Sequence, residues 1–360
     1  MIASVGFGLS ILNKSMNRGD GNVNLFRQLR DATNVLELPE ERFIANFRVS
    51  KDVFLMLLGE MEPQMKRNTR SSSVPPIVKV STFLKFLASG GYQFCVGNES
   101  VSYMSKAKVS EVISECLNIV EQHICAKWIR LQKTLGEEDE CKQSFFNSAG
   151  VPGVVGCIDG SHVRIKSPGQ QQQHLYYNRK GYYSINVMVI CDHNMVINYV
   201  DARHPGANHD AFVWDQSDAH DHFKNNFIRG KRNTWLLGDS GYKLQPYMMT
   251  PYRNPSNATE RNYNKKHSKT RNVVERCFGV LKNRFRCIIV SRGLHYSPAK
   301  ATQIINTYCA LHNICIFYKN HLLPSDAMFQ NENEDLGSFS SGDETAAITI
   351  RDEIALNLLN

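Results

Sequence analysis

No apolar run in the 360 residues reaches the roughly 18–20 that a membrane-spanning helix needs. The chain is therefore expected to be soluble, with no membrane among its partners. The mildly apolar run Met1–Leu12 has no charged segment before it, which argues against a signal peptide. Ten cysteines are present, yet no CxxC pair and no regular spacing occur. In a chain this long, that pattern favours reduced thiols and a cytosolic or nuclear setting. Internal repeats are also missing. Cys309, His312 and Cys315 sit at helical spacing in YCALHNIC, but no fourth ligand accompanies them, so a packed helix face is the better reading than zinc.

What is present is an apolar content of 42%, enough for a real core, and a net charge of +8 that makes an anionic partner plausible. Residues 1–40 are weakly patterned and read as an arm. Residues 41–130 are helical. Ser50 caps a helix with stripe Phe54, Leu57, Leu58 and Met61, and Pro75-Pro76 opens a second that Gly90-Gly91 stops. A third runs from Lys106 to Ile124. Two arrangements fit: a helix-turn-helix unit, in which Lys106 and Lys108 would touch DNA, or a plain helical bundle. Glu137–Glu140 reads as an acidic patch in a linker.

A new pattern starts after Gly150 and extends to about 320. Strands are expected at Val154–Ile165, Tyr182–Cys191, Met195–Asp201 and Thr234–Leu237, with a crossover helix from Asp210. Two hairpin-linked strands, a crossover and a returning parallel strand make a mixed α/β sheet. Residues 241–270 read as a polar loop, and helices follow from Thr270 and over Pro298–Tyr318. Residues 321–360 form a polar acidic tail, expected to be disordered in part.

Asp159 ends the apolar run VVGCI, and Asp239 ends WLLG in a matching place. An acid at the end of a buried strand needs a metal, a salt bridge or a helix terminus to offset its burial. If the two strands are parallel neighbours, both carboxylates leave the sheet at one end. Glu275, on the following helix, shares a face with Gly279, Lys282 and Arg286 and can point back at them. Three acids in one pocket repel each other unless cations lie between them. With no Cys or His in the set, the hard oxygen donors select Mg²⁺ or Mn²⁺, as a pair of ions suited to phosphoryl transfer on nucleic acid. Taken singly, each acid has a structural explanation as a turn, cap or macrodipole residue; the matching settings favour the metal reading.

From Arg253 to Arg286 there are ten Lys/Arg against two acids, with Tyr252, Tyr263 and His267 interleaved. Such a stretch suits a nucleic-acid backbone. Arg271, Lys282 and Arg286 are the substrate-binding candidates. His209, in RHPGANHD, is read as structural support with a site role open to it, contacting substrate or orienting the acids.

The motifs VGCIDGSHVRI, PGANHDAFVW, LLGDSGY, RNVVERCFGVLKNRFR and CALHNIC resemble those of the PIF/Harbinger group of DDE transposases, more closely the domesticated nucleases derived from them in animals. The resemblance covers about residues 40–320, with 79 residues between Asp159 and Asp239 and 35 between Asp239 and Glu275. It implies an RNase H-like mixed sheet flanked by helices, an N-terminal all-α helix-turn-helix-like region, and Asp159, Asp239 and Glu275 as the metal-binding catalytic triad. It further implies a metal-dependent DNA nuclease working with a separate Myb/SANT-like DNA-binding protein, in the nucleus and also the cytoplasm, with a homo-oligomer open. A catalytically silent DNA-associated adaptor is the alternative.

Overall fold

The computed structural model describes residues 27–28, 30, 33–66, 73–99, 102–288, 293–320 and 344–358. Most of the arm expected over 1–40 lies outside them. The chain divides into two compact units, Met1–Ile119 and Val120–Asn360.

The first unit is all-α among the described residues, with helices Glu40–Phe47, Lys51–Met61, Pro76–Ser89 and Gln93–Gly97 and the start of Lys106–His123. Ser50 Oγ accepts the Val53 N–H at 3.4 Å, and Gly90 closes the Pro76–Ser89 helix at φ 61°. Phe43, Phe47 and Phe54 are fully buried and meet ring to ring at 4.7–6.2 Å. Lys79 reaches across to Glu115 at 2.8 Å. Lys108, offered to DNA under the helix-turn-helix arrangement, pairs with Glu111 on its own helix at 2.7 Å.

The second unit holds a five-stranded mixed sheet, ordered β3-β2-β1-β4-β5, from Val154–Arg164 (β1), Ser184–Cys191 (β2), Ile197–Pro205 (β3), Trp235–Leu237 (β4) and Met248–Met249 (β5). The first three strands pair antiparallel, and β4 and β5 run parallel to β1. The edge strand β3 is covered by the helix Pro298–Phe317. Asn313 on that helix gives and receives strand-like bonds with the Ile197 backbone at 2.7 and 2.8 Å. Cys309, His312 and Cys315 are fully buried on this helix, as a packed face.

Three segments depart from expectation. Residues 135–149 form a helix rather than a linker, started by a Thr134–Glu137 capping box. The stretch read as a loop over 241–270 contains β5 and the first half of a long helix, Ala258–Arg284. That half lacks an aliphatic stripe because Tyr263, His267 and Thr270 fill the buried positions instead. In the acidic tail, residues 344–357 are helical, with Ala347, Ile354 and Ala355 buried and Arg351 stacked 3.8 Å over Tyr252; residues 321–343 lie outside the description.

The long helix docks by polar contacts. His267 Nε2 donates to the Met249 carbonyl at 3.2 Å, and the Tyr263 hydroxyl donates to the Thr250 carbonyl at 3.4 Å. Burial pushes the His267 imidazole down to about 4. The unfolded chain takes up that proton near 6.5, so the contribution is complete above pH 6.5 and is lost as pH falls from 6.5 towards 4. Chemical denaturation should show a loss of about 3 kcal/mol over that window. His267→Gln, which keeps a donor but does not titrate, should flatten the loss.

Candidate active site

The pairing of β1 with β4 is parallel and reaches Cys157 opposite Leu237. Two residues further along each strand's path stand Asp159 and Asp239. Asp239 lies just past the end of β4, whereas Asp159 is inside β1, opposite Val189 of β2, with the strand running on to Arg164; contrary to expectation, it does not end its strand. The Asp159 carboxylate accepts its neighbour Gly160 N–H at 3.0 Å, and Asp239 accepts the Gly241 N–H at 2.9 Å. Glu275, on the long helix, is brought in through Arg271 one turn before it. One arm of the guanidinium meets Asp159 at 2.7 Å and the other meets Glu275 at 3.0 Å. Sharing one planar fork holds those two carboxylates within about 8 Å of each other.

A fourth acid belongs to the group. Asp210 opens the helix Asp210–Asp215, and its carboxylate lies against the backbone of Gly160; a Cβ there would stand 2.3 Å from Asp210 Oδ1. Asn186 on β2 donates to the same oxygen at 2.7 Å. In the sequence Asp210 is indistinguishable from a helix-capping residue, and its only signal is its place in RHPGANHD. Tyr242 is buried beside these acids with no hydrogen-bond partner for its hydroxyl. Burial raises that phenol, with Asp210, Asp159 and Asp239 adding to the rise.

The electrostatics follow from this crowding. Burial pushes Asp159 up to about 7, Asp239 and Asp210 push the same way, and Arg271 opposes them. For Arg271, burial works against the charge, but Asp159, Asp239 and Glu275 outweigh it and raise the guanidinium further. Three carboxylates, Asp159, Asp239 and Glu275, act on one arginine, with Asp210 beside Asp159. Among the described residues no three His, Cys, Asp or Glu side chains converge closely enough to hold a metal ion. The donor set itself is all oxygen, has more negative charge than Arg271 neutralises, and includes an orphaned phenol, which fits a hard divalent cation.

The remaining candidates fall differently. Arg271, a substrate-binding candidate in the sequence, is ion-paired with Asp159 and Glu275 in this structure. The face running through Glu275, Gly279 and Lys282 stops short of Arg286. The helix ends at Arg284 because Phe285 turns to φ −116°, ψ 88°, and exposed Arg286 sits in the 3-10 turn that follows. Lys282 stands 5.8 Å over the Phe278 ring. His209 is exposed at the N-cap position of its helix and makes no capping bond.

Aspartates on neighbouring parallel strands, a helix-borne glutamate and a mixed sheet describe a DDE-type endonuclease core. The DDE superfamily endonuclease family matches residues 158–313, which span β1 to the helix Pro298–Phe317. A Homo sapiens protein, "Putative nuclease HARBI1", is 32% identical over 283 residues, 78% of this chain and 79% of its own. The Xenopus laevis protein of the same name is 30% identical over 308 residues, 85% and 86% of the two chains. "Protein ALP1-like" of Arabidopsis thaliana is 25% identical over 297 residues, covering 77% and 70%. No solved structure matches the chain. The chain belongs to the DDE superfamily endonucleases, in the group of nucleases derived from Harbinger transposases.

Removing Arg271 strands two carboxylates that now share its charge. Arg271→Ala in EDTA should cost about 3 kcal/mol in chemical denaturation. Added Mg²⁺ should recover stability in the variant more than in the wild type, because the ion can take over the lost charge.

Proposed function

We propose that the protein is a divalent-metal-dependent endonuclease that hydrolyses phosphodiester bonds in DNA, built on an RNase H-like sheet. The observation that carries this reading is the emergence of Asp159 and Asp239 from parallel neighbours, with Glu275 on the same guanidinium as Asp159. Three antiparallel strands followed by two parallel ones, with the glutamate on a helix crossing the sheet, fit that architecture.

Asp159, Asp239 and Glu275 are the residues that would hold Mg²⁺ or Mn²⁺, two ions in this reading. When bound, such ions supply the Lewis-acid charge stabilisation that phosphoryl transfer needs. The chain's own contribution is to hold the acids in place and to offer cations to the backbone. Gly160 and Gly241 fix the two aspartates through their N–H groups. Arg271, released from a carboxylate, has its fork aimed into the acidic cluster, where a phosphodiester oxygen can replace it. Lys282 and Arg286 extend the positive rim, His209 offers a polar contact to substrate, and the excess of Lys/Arg from Arg253 to Arg286 holds the strand. A nuclear location with some cytoplasmic protein, a Myb/SANT-like DNA-binding partner and a homo-oligomer belong to the same reading, through the family resemblance.

Nicking of supercoiled plasmid by the purified chain should require Mg²⁺ or Mn²⁺ and vanish in EDTA. Asp159→Asn and Glu275→Gln should each lower the rate by at least about 100-fold, the scale of losing a group that acts only in the transition state. Equal nicking by wild type and both variants would remove the reading.

A further inference from the structure

We propose that the connection between β1 and β2, residues 165–183, is a platform for unpaired bases of a DNA substrate. This rests on the DNA-nuclease reading above and adds which part of the DNA the protein grips. From Gly160 to Cys191 the chain has no Asp or Glu. Within that span Arg164, Lys166, His174, Arg179 and Lys180 are exposed. Four of the chain's 14 tyrosines fall between 176 and 183. Tyr177 is 52% exposed and stands edge-on to Tyr183 at 5.3 Å, while Arg164 lies 5.5 Å over the Tyr182 ring.

The tyrosines are held, not loose. Tyr177 and Tyr183 face each other across an antiparallel bridge. Between them, buried Asn178 accepts the N–H groups of Lys180 at 2.9 Å and Tyr182 at 3.3 Å, and Gly181 takes φ +81°. The Asn178 amide donates to Ser184 Oγ at 2.8 Å at the start of β2. An exposed ring on so fixed a turn loses little freedom when something stacks on it.

The platform is joined to the acids. The Leu175 carbonyl accepts the Ala207 N–H at 3.0 Å, and the Ser184 carbonyl accepts the Gly206 N–H at 2.8 Å. A side chain at Gly206 would put its Cβ 2.1 Å from Ser184 Oγ, so only glycine lets the two loops close up. Four residues after Gly206 comes Asp210, packed on Gly160 beside Asp159. Acid-free basic surface selects phosphates, and an exposed aromatic face selects a base face. Base faces in a duplex are covered by their neighbours, so Tyr177 needs an unpaired nucleotide.

The test uses the full chain in EDTA, so that nothing is cut, and fluorescence anisotropy with two probes: a blunt duplex, and the same duplex carrying a single-stranded tail. Wild type should bind the tailed DNA more tightly. Tyr177→Ala should weaken tailed DNA by roughly tenfold while leaving blunt duplex within about twofold, and Tyr177→Trp should keep the preference. Equal affinity of wild type for both probes, or an equal loss on both in Tyr177→Ala, overturns the platform and leaves the nuclease reading standing. No binding of either DNA by wild type overturns both.

Discussion

Asp159 and Glu275 come from elements more than a hundred residues apart, and one guanidinium holds both. Arg271 is placed for this by the helix that also carries Glu275, one turn away, so a single docked element delivers a pair of opposite charges to Asp159. Without a cation there, burial and the neighbouring Asp239 and Asp210 would drive Asp159 towards its neutral form. The acidic cluster is thus stable only while positive charge is supplied to it, by arginine or by a metal ion. In the nuclease reading proposed above, divalent ions would meet that same demand for positive charge.

The sheet sets the other half of the geometry. Because β4 runs parallel to β1, Asp239, just past β4, comes level with Asp159 within β1; an antiparallel return would have carried it away from Asp159. The close packing of Asp210 on Gly160 adds a fourth carboxylate that no strand end predicts, held by Asn186 from the adjacent strand. The edge at β3 is covered by Asn313, which satisfies the Ile197 backbone from a helix. The strand bearing Asp159 therefore stays in the middle of the sheet, flanked on both sides.

Much of this was legible beforehand. Short apolar runs closed by Asp-Gly and Gly-Asp-Ser-Gly mark two buried strands that parallel pairing brings level, and the hairpin and the parallel return followed from loop lengths; Asp159, however, lies within its strand and not at its end. What was not legible has physical reasons. The Ala258–Arg284 helix begins with Asn, Lys and Arg on its outer faces and Tyr263, His267 and Thr270 inside, so no aliphatic period reveals its first half. The helix 135–149 is so acidic at its start that its capping box looked like a linker. Arg271 read as one of ten cations in a basic stretch, since its burial and its two carboxylate partners are tertiary facts. The helix 344–357 packs few apolar side chains, and a polar composition hid them.

The polar docking of the long helix has a consequence for the site. Apolar packing resists displacement through close fit but is not directed at one partner atom. Hydrogen bonds add a fixed partner, since they weaken steeply with length and angle. His267 on the Met249 carbonyl and Tyr263 on the Thr250 carbonyl pin the helix at the end of β5, at the same end of the sheet as the acids. Thr270, whose carbonyl receives the Cys157 thiol at 3.7 Å, ties the next turn to β1 two residues before Asp159. From that point Arg271 follows at once and Glu275 a turn later, so their distance from Asp159 is set by bonds only a few residues away. Reacting groups displaced by about 1 Å can lose 100-fold in rate, and directional contacts guard against such displacement better than apolar ones.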